Sequence, residues 1–367
     1  MKPTERLVSL DAFRGLTILL MIIVNTPGSW AYVYPPFRHA QWHGCTPTDL
    51  VFPFFLFIVG VAMWFSFKKY EHKFSTPAFT KIIKRTALIF LVGLLLNAFP
   101  KFNFDSLRIM GVLQRIALAY GLAATFVLLL PRIGRWAFAF AILIGYWILM
   151  YVMGGDNPFS LENNFAKGID IFLFGENHVY KGFGIPFDPE GLLSTLPAMV
   201  NVILGYLIGE IISNTKDFKK LIYKLIPLGI GGIALGLLWD IVFPINKPIW
   251  TSSYVVYTVG IALLLLAFFI WLIDIKGSKK WANPLLIYGT NPLLIFVLSI
   301  LWVKILIYLI HIGTGDASLN GYAWLYQTVF VPIGGNMLGS LLFALFHGIV
   351  FWGVGYILFR KKIFLKL

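Results

Sequence analysis

The 367 residues are 59% hydrophobic, 17% aromatic and only 13% charged, with a mean hydropathy of +0.81, which excludes an ordinary soluble domain, where about 25% of residues are charged. A formal net charge of +14 would suit a nucleic-acid binder, but the basic residues are sorted by side of a membrane and form no patch, which excludes that reading. A single cysteine, Cys45, leaves no intrachain disulfide and no pair at metal-ligand spacing.

Crossing a hydrocarbon core of about 30 Å takes about 20 apolar residues. Runs of that kind recur at 8–26, 49–67, 79–99, 107–130, 135–153, 192–213, 221–243, 253–273, 281–312 and 335–359. They predict an all-α, polytopic transmembrane bundle of about ten spans, forming one membrane domain over residues 1–367. The first run opens with Asp11 and Arg14 and has no small-residue cleavage site, so it is expected to remain as a helix. The 281–312 run is longer than one crossing and contains Asn291-Pro292, where proline removes a backbone donor. A broken helix is expected there, and a full break would make an eleventh span.

With the first residues in the cytoplasm, one side of the membrane collects Lys2 and Arg6, the 68–85 cluster, Arg132 and Arg135, Lys216 to Lys224, Lys276 to Lys280, and Arg360 to Lys366. The other side holds Arg38, Lys101, Arg108, Lys167, Lys181 and Lys247. This bias places both termini in the cytoplasm and the loops 27–48 and 154–191 outside. An eleventh full crossing would put Arg360 and its neighbours on the wrong side. An impermeant thiol reagent is expected to reach Cys45, or a cysteine at His178, and not one at Ser75.

Ordered loops this long usually carry function, so the external side is the expected seat of chemistry. The first loop follows Asn25 and carries Trp30, Tyr32, Tyr34, Arg38, His39, Trp42 and His43. Aromatic faces with imidazoles suit sugar binding or catalysis, while the aromatics alone suit an interfacial belt equally well. Thr46-Pro47-Thr48-Asp49 reads as a helix start, and Asp49 either caps that helix or orients an imidazole. Ionisable residues inside apolar runs mark function by default. Arg14 either pairs with Asp11, one turn away, or binds phosphate. Arg108 and Arg115 share a helix face with Gln114 nearby, and either bind an anion or pair with Asp240. His347 reads as a core residue.

Several stretches together closely resemble the membrane domain of the heparan-α-glucosaminide N-acetyltransferase family: Ser9 to Thr17, Val24-Asn25, Arg38 to Gly44, Thr48 to Phe55 and Phe57 to Gly60. Less distinctive similarity continues through Arg108 to Tyr120, Asp188 to Gly205, Trp250 to Tyr254 and Gly289 to Pro292. The resemblance implies transfer of an acetyl group from cytosolic acetyl-CoA to a terminal glucosamine on the far side of the membrane. By motif it assigns the catalytic histidine to His39 and the preceding asparagine to Asn25. Two departures bear on the acceptor: the Asn-to-His spacing is longer here, and His43 stands where the family has a second asparagine. The family's extra lumenal domain and its span have no counterpart in these residues.

The chemistry fits independently. An amine attacks a thioester only when neutral, and a positioned imidazole that takes its proton gains about 10²–10⁴-fold. His39 is the expected base, with Asp49 as its partner. Asn25 either donates to the oxyanion, worth about 3–4 kcal/mol, or positions the thioester. Direct transfer and an acetyl-imidazole intermediate both remain open. Because CoA is cytosolic and His39 external, a tunnel is required, with Arg14, Gln114, Arg115 and Asn291 as the cofactor-binding candidates. Trp42, His43, Asp188 and Glu190 are the acceptor-binding candidates, the carboxylates attracting a cationic amino sugar. The partners expected are acetyl-CoA, an amino sugar or glycan, the lipid bilayer, and a second copy in a homodimer, with no metal and no nucleic acid. The bacterial inner membrane is the expected location. The competing reading is a small-molecule transporter built around the broken helix, against which no inverted repeat is visible.

Overall fold

The computed structural model describes residues 7–314 and 318–364. Lys2, Arg6 and Lys366, counted above as cytoplasmic charges, lie outside the described residues. The helices are α1 (Val8–Asn25), α2 (Val51–Phe67), α3 (Thr76–Ala98), α4 (Val112–Leu129), α5 (Arg132–Met153), α6 (Phe165–Phe174), α7 (Thr195–Asn214), α8 (Phe218–Asp240), α9 (Ser252–Phe269), α10 (Asn283–Thr290), α11 (Pro292–Tyr308), α12 (Gly321–Leu325) and α13 (Val331–Arg360). Nine of the ten predicted runs each coincide with one of them and the 281–312 run with α10 and α11, so the protein is an all-α membrane bundle. Among the described residues, β-strand is confined to the two-residue pair His311–Ile312 and Leu319–Asn320.

Eight helical segments are long and apolar enough to span, or nine when α10 and α11 count as one broken span. The helix α3 is not among them, because every 18-residue stretch of it contains Lys81, Lys84 and Arg85. The expected break is present: α10 and α11 meet at Asn291 with a 75° bend. Two helical stretches were not expected. One is α6, inside the 154–191 loop. The other runs from Gly321 through a π-helical turn at Tyr326–Phe330 to a break at Gly335, whose φ of +65° suits glycine.

Packing in the bundle depends on close approach, as expected where lipid supplies no hydrophobic drive between helices. A Cβ at Gly60 of α2 would lie 2.0 Å from the Val202 carbonyl of α7, and one at Gly205 would lie 2.0 Å from the Phe57 carbonyl. In contrast α5 and α8 present Phe140, Ile148, Leu237 and Leu238 outward, the surface a bilayer covers.

Candidate functional site

The loop 27–48 folds onto the start of α2 through the predicted capping motif. Thr46 donates to Asp49 Oδ2 from its backbone nitrogen at 3.0 Å and from Oγ1 at 2.9 Å, and the Ala40 nitrogen adds a third bond at 3.0 Å. These bonds fix the carboxylate so that Oδ1 faces His39 Nδ1 at 2.6 Å. Asp49 therefore does both of the things the sequence left open: one oxygen caps the helix and the other orients an imidazole. Asp49 is 2% exposed and His39 41%, so a fixed charge supports a ring open to solvent.

The loop between α8 and α9 completes this arrangement. Lys247 Nζ lies 3.2 Å from His39 Nδ1 and 3.4 Å from Asp49 Oδ1. Burial lowers the Lys247 pKa, while Asp49 and Glu190 act in the opposite direction. Beside an ionised carboxylate the neutral imidazole keeps its proton on Nδ1, which leaves the Nε2 lone pair available. Asn246 donates through Nδ2 to the Trp42 carbonyl at 2.9 Å and lies 3.3 Å from His43 Nδ1. Burial pulls the His43 pKa down despite Asp240. Trp42 donates its indole N–H to the Phe159 carbonyl at 2.8 Å and packs edge-on against Phe183 and Phe187. The Cys45 thiol is pushed up to about 12, first by burial and then by Asp49, so it is a poor target for a thiol reagent. The exposed Asn177 is a better labelling position for the same test of sidedness.

A second polar cluster lies beneath the long 154–191 loop. Arg108 donates to both oxygens of Asp188, at 2.8 and 2.6 Å, and to Glu190 at 2.5 Å. Burial alone would lower the Arg108 pKa, and the two carboxylates outweigh it and raise it. Arg115 is fully buried, donates to Ser194 Oγ and to the Gly191 carbonyl at 3.2 Å, and lies 4.9 Å from the Trp250 ring centre. The pairing with Asp240 considered from sequence is not formed, since Asp240 accepts from the Ile245 nitrogen at 2.6 Å. Gln114 is buried beside Arg115, and its Nε2 has no partner among the described residues.

Asp170 of α6 also belongs to this cluster. Burial pushes its carboxyl up to about 7, with the Leu192 N–H opposing and Asp188 adding to the rise. The folded state thus holds a proton that the unfolded chain releases near the ordinary value of 3.8, and stability falls as pH rises from about 4 to about 7. Asp170→Asn is expected to flatten that fall, read as thermal unfolding in detergent across the same pH window.

Inside the bundle, α1, α2, α3, α4 and the start of α11 enclose a cavity of about 220 Å³ lined by Arg14, Ser66, Arg85, Tyr120 and Leu293 among others. Arg14 is bonded to Asp11 at 3.1 Å, the first of the two roles left open from sequence, and also faces the Gly289 carbonyl at 3.5 Å. Arg85 stacks 4.6 Å over Tyr120. Gln114, Arg115 and Asn291 do not line this cavity; Asn291 sits at the adjoining break and donates to the Ile363 carbonyl at 2.8 Å. Asn25, exposed at the end of α1, lines a different cavity, and no hydrogen bond joins it to His39. Sequence reasoning missed three contributors: Lys247 and Asn246, each about 200 positions from its partner in the loop, and Arg85. The only signal for Arg85 was a charge inside an apolar run.

Residues 6–225 match the family model described as Heparan-alpha-glucosaminide N-acetyltransferase, catalytic. The chain belongs to this family. The Heparan-alpha-glucosaminide N-acetyltransferase of Homo sapiens is 27% identical over 427 residues, an alignment covering 99% of this chain and 60% of the human protein. That of Mus musculus is 27% identical over 354 residues, covering 80% of this chain and 53% of the mouse protein. The chain thus spans somewhat over half the length of these curated relatives. His39, Asn25 and Asp49 lie within the family match, whereas Asn246, Lys247 and Asn291 lie beyond its end.

Proposed function

We propose that this family member is a membrane acetyltransferase that moves the acetyl group of acetyl-CoA to the amine of an amino sugar, with His39 as general base. The contact that carries the reading is the 2.6 Å bond between His39 Nδ1 and the capped, buried Asp49. The amine nitrogen forms a bond to the thioester carbonyl carbon while Nε2 of His39 takes its proton. The tetrahedral intermediate then expels the CoA sulfur, which receives that proton from the imidazolium, and Asp49 stabilises the imidazolium while it lasts. Asn25 serves as a substrate-contacting amide.

In this reading the whole chain acts as one membrane domain, with both termini in the cytoplasm and His39 outside, in a bacterial inner membrane. The cavity holding Arg14 and Arg85 supplies cations where CoA enters from the cytoplasmic face. Arg14→Ala and Arg85→Ala are each expected to raise the KM for acetyl-CoA roughly tenfold, with kcat little changed, as loss of one charge-assisted hydrogen bond implies. An unchanged KM in both variants removes the cavity from the donor path.

Sealed proteoliposomes test the function directly. Their orientation is scored by an impermeant thiol reagent at a cysteine replacing Asn177. Acetyl-CoA on the cytoplasmic side should acetylate an impermeant amino sugar on the other side, with CoA released where it began. Sugar uptake without CoA release would instead identify a transporter.

A further inference from the structure

A second cavity, of about 360 Å³, opens at the outer end of α1 between α11 and the helical stretch that begins at Gly321. Its size falls within the range of small-molecule pockets, about 300–1,000 Å³. Its polar and aromatic wall comprises Asn25, Trp30, Asn320, Tyr322, Tyr326 and Gln327. Among the described residues no charged side chain lines it, so the ligand portion this wall suits is neutral.

The wall is built before any ligand arrives. The Tyr322 hydroxyl donates to the Pro27 carbonyl at 2.6 Å and the Tyr326 hydroxyl to the Asn336 carbonyl at 2.8 Å, so both rings are held in place. The loop carrying Trp30 is pinned to α13 by bonds from the Gly28 and Ser29 nitrogens to Ser340, at 3.2 and 3.1 Å. A Cβ at Gly28 would lie 2.3 Å from the Tyr326 ring, so only glycine brings the loop this close. Tyr326 and Gln327 open the π-helical turn, a rare conformation that recurs at functional sites.

Within this fixed wall the side-chain amides of Asn25 and Gln327 are exposed and make no hydrogen bond among the described residues. An amide offers both donors and an acceptor, the complement of two neighbouring hydroxyls. Trp30, 64% exposed, offers an aromatic face for the apolar side of a ring.

We propose that this cavity is a glycan subsite that holds an uncharged, hydroxyl-bearing sugar ring of a glycan acceptor whose amino sugar reacts at His39. The proposal rests on the acetyltransferase reading for its place in the reaction, while binding of the ring can be measured without any transfer. Asn25 then contacts the acceptor rather than the thioester.

The test uses full-length protein in nanodiscs, free of glycoside detergents, and the His39→Ala variant so that no turnover occurs. Titration calorimetry with cellobiose should show binding that is weakened about tenfold in Gln327→Leu, as loss of a hydrogen bond to an uncharged partner implies, and partly restored in Gln327→Asn. An alkyl glucoside placed in the nanodisc is the second arm. Binding of that probe alone would assign the subsite to a lipid-linked glycan. Binding of neither, or binding indifferent to Gln327 and to Trp30→Ala, overturns the proposal. In active protein, Gln327→Leu should lower about tenfold the ratio of kcat/KM for the glucosaminyl oligosaccharide most favoured by the parent, from a series of increasing length, to kcat/KM for free glucosamine. Absence of transfer to any amine, with cellobiose binding intact, would overturn the enzyme reading and leave the subsite standing.

Discussion

Replacing His39 with alanine is expected to lower acetyl transfer by about 10²–10⁴-fold, the range that positioned acid–base catalysis contributes, and to leave the bundle folded and able to bind acetyl-CoA. The separation of effects follows from the contacts. The ring is 41% exposed, so its removal opens no buried cavity. Asp49 keeps its bonds from Ala40 and from both donors of Thr46, and its ion pair with Lys247. The variant therefore leaves no buried charge unpaired, the condition that makes such deletions destabilising. The cavity with Arg14 and Arg85, proposed above for the donor, involves none of these residues. His43→Ala should cost less, because His43 Nδ1 faces the Asn246 amide and no carboxylate orients the ring. Labelled acetyl-CoA with a panel of amino sugars, in detergent, reads both variants. Turnover of His39→Ala within a few-fold of the parent removes it as the base, and an equal or greater loss in His43→Ala names the other imidazole.

What the sequence revealed and what it hid divide along a physical line. Apolar length is local, and each predicted run is a helix because a stretch that long must satisfy its own backbone in lipid. Proline at position 292 and the Thr46 to Asp49 cap are also local, and the bend and the cap both appear as read. Contacts between distant segments follow no such rule. Lys247 meets His39 across 208 positions, and nothing in its own neighbourhood distinguishes it from any other external lysine. Arg115 illustrates the opposite error. A charge in an apolar run invites pairing with another such charge, yet Arg115 is satisfied in part by a carbonyl and a hydroxyl of the chain entering α7, groups that a charge inventory never counts. The helical stretch from Gly321 to Gly334 escaped notice because it is too short to span by itself, and its place against Asn25 is set by packing.

The Asp49→Asn variant should lose about as much activity as His39→Ala, for a reason that separates the two roles of this carboxylate. Oδ2 accepts the capping bonds from Thr46 and a bond from Ala40 of the loop, while Oδ1 faces His39 and Lys247. An asparagine keeps its single oxygen on the capping side, where three donors converge, and so the start of α2 stays formed. Its NH₂ then faces His39 Nδ1, and two donors cannot share that 2.6 Å contact. The imidazole responds by moving its proton to Nε2, so that Nδ1 accepts from the amide and the base no longer has a lone pair toward the substrate. A wrong tautomer in an otherwise intact site costs about 10⁴-fold in the serine-protease triad, the handiest parallel for an acid behind a histidine. The expected signature is therefore a large fall in kcat with an unfolding temperature close to that of the parent. Asp49→Ala, which removes the cap as well, should lose both activity and thermal stability. Should Asp49→Asn retain near-parental kcat, Asp49 is a helix cap alone, and the orientation of His39 rests on Lys247.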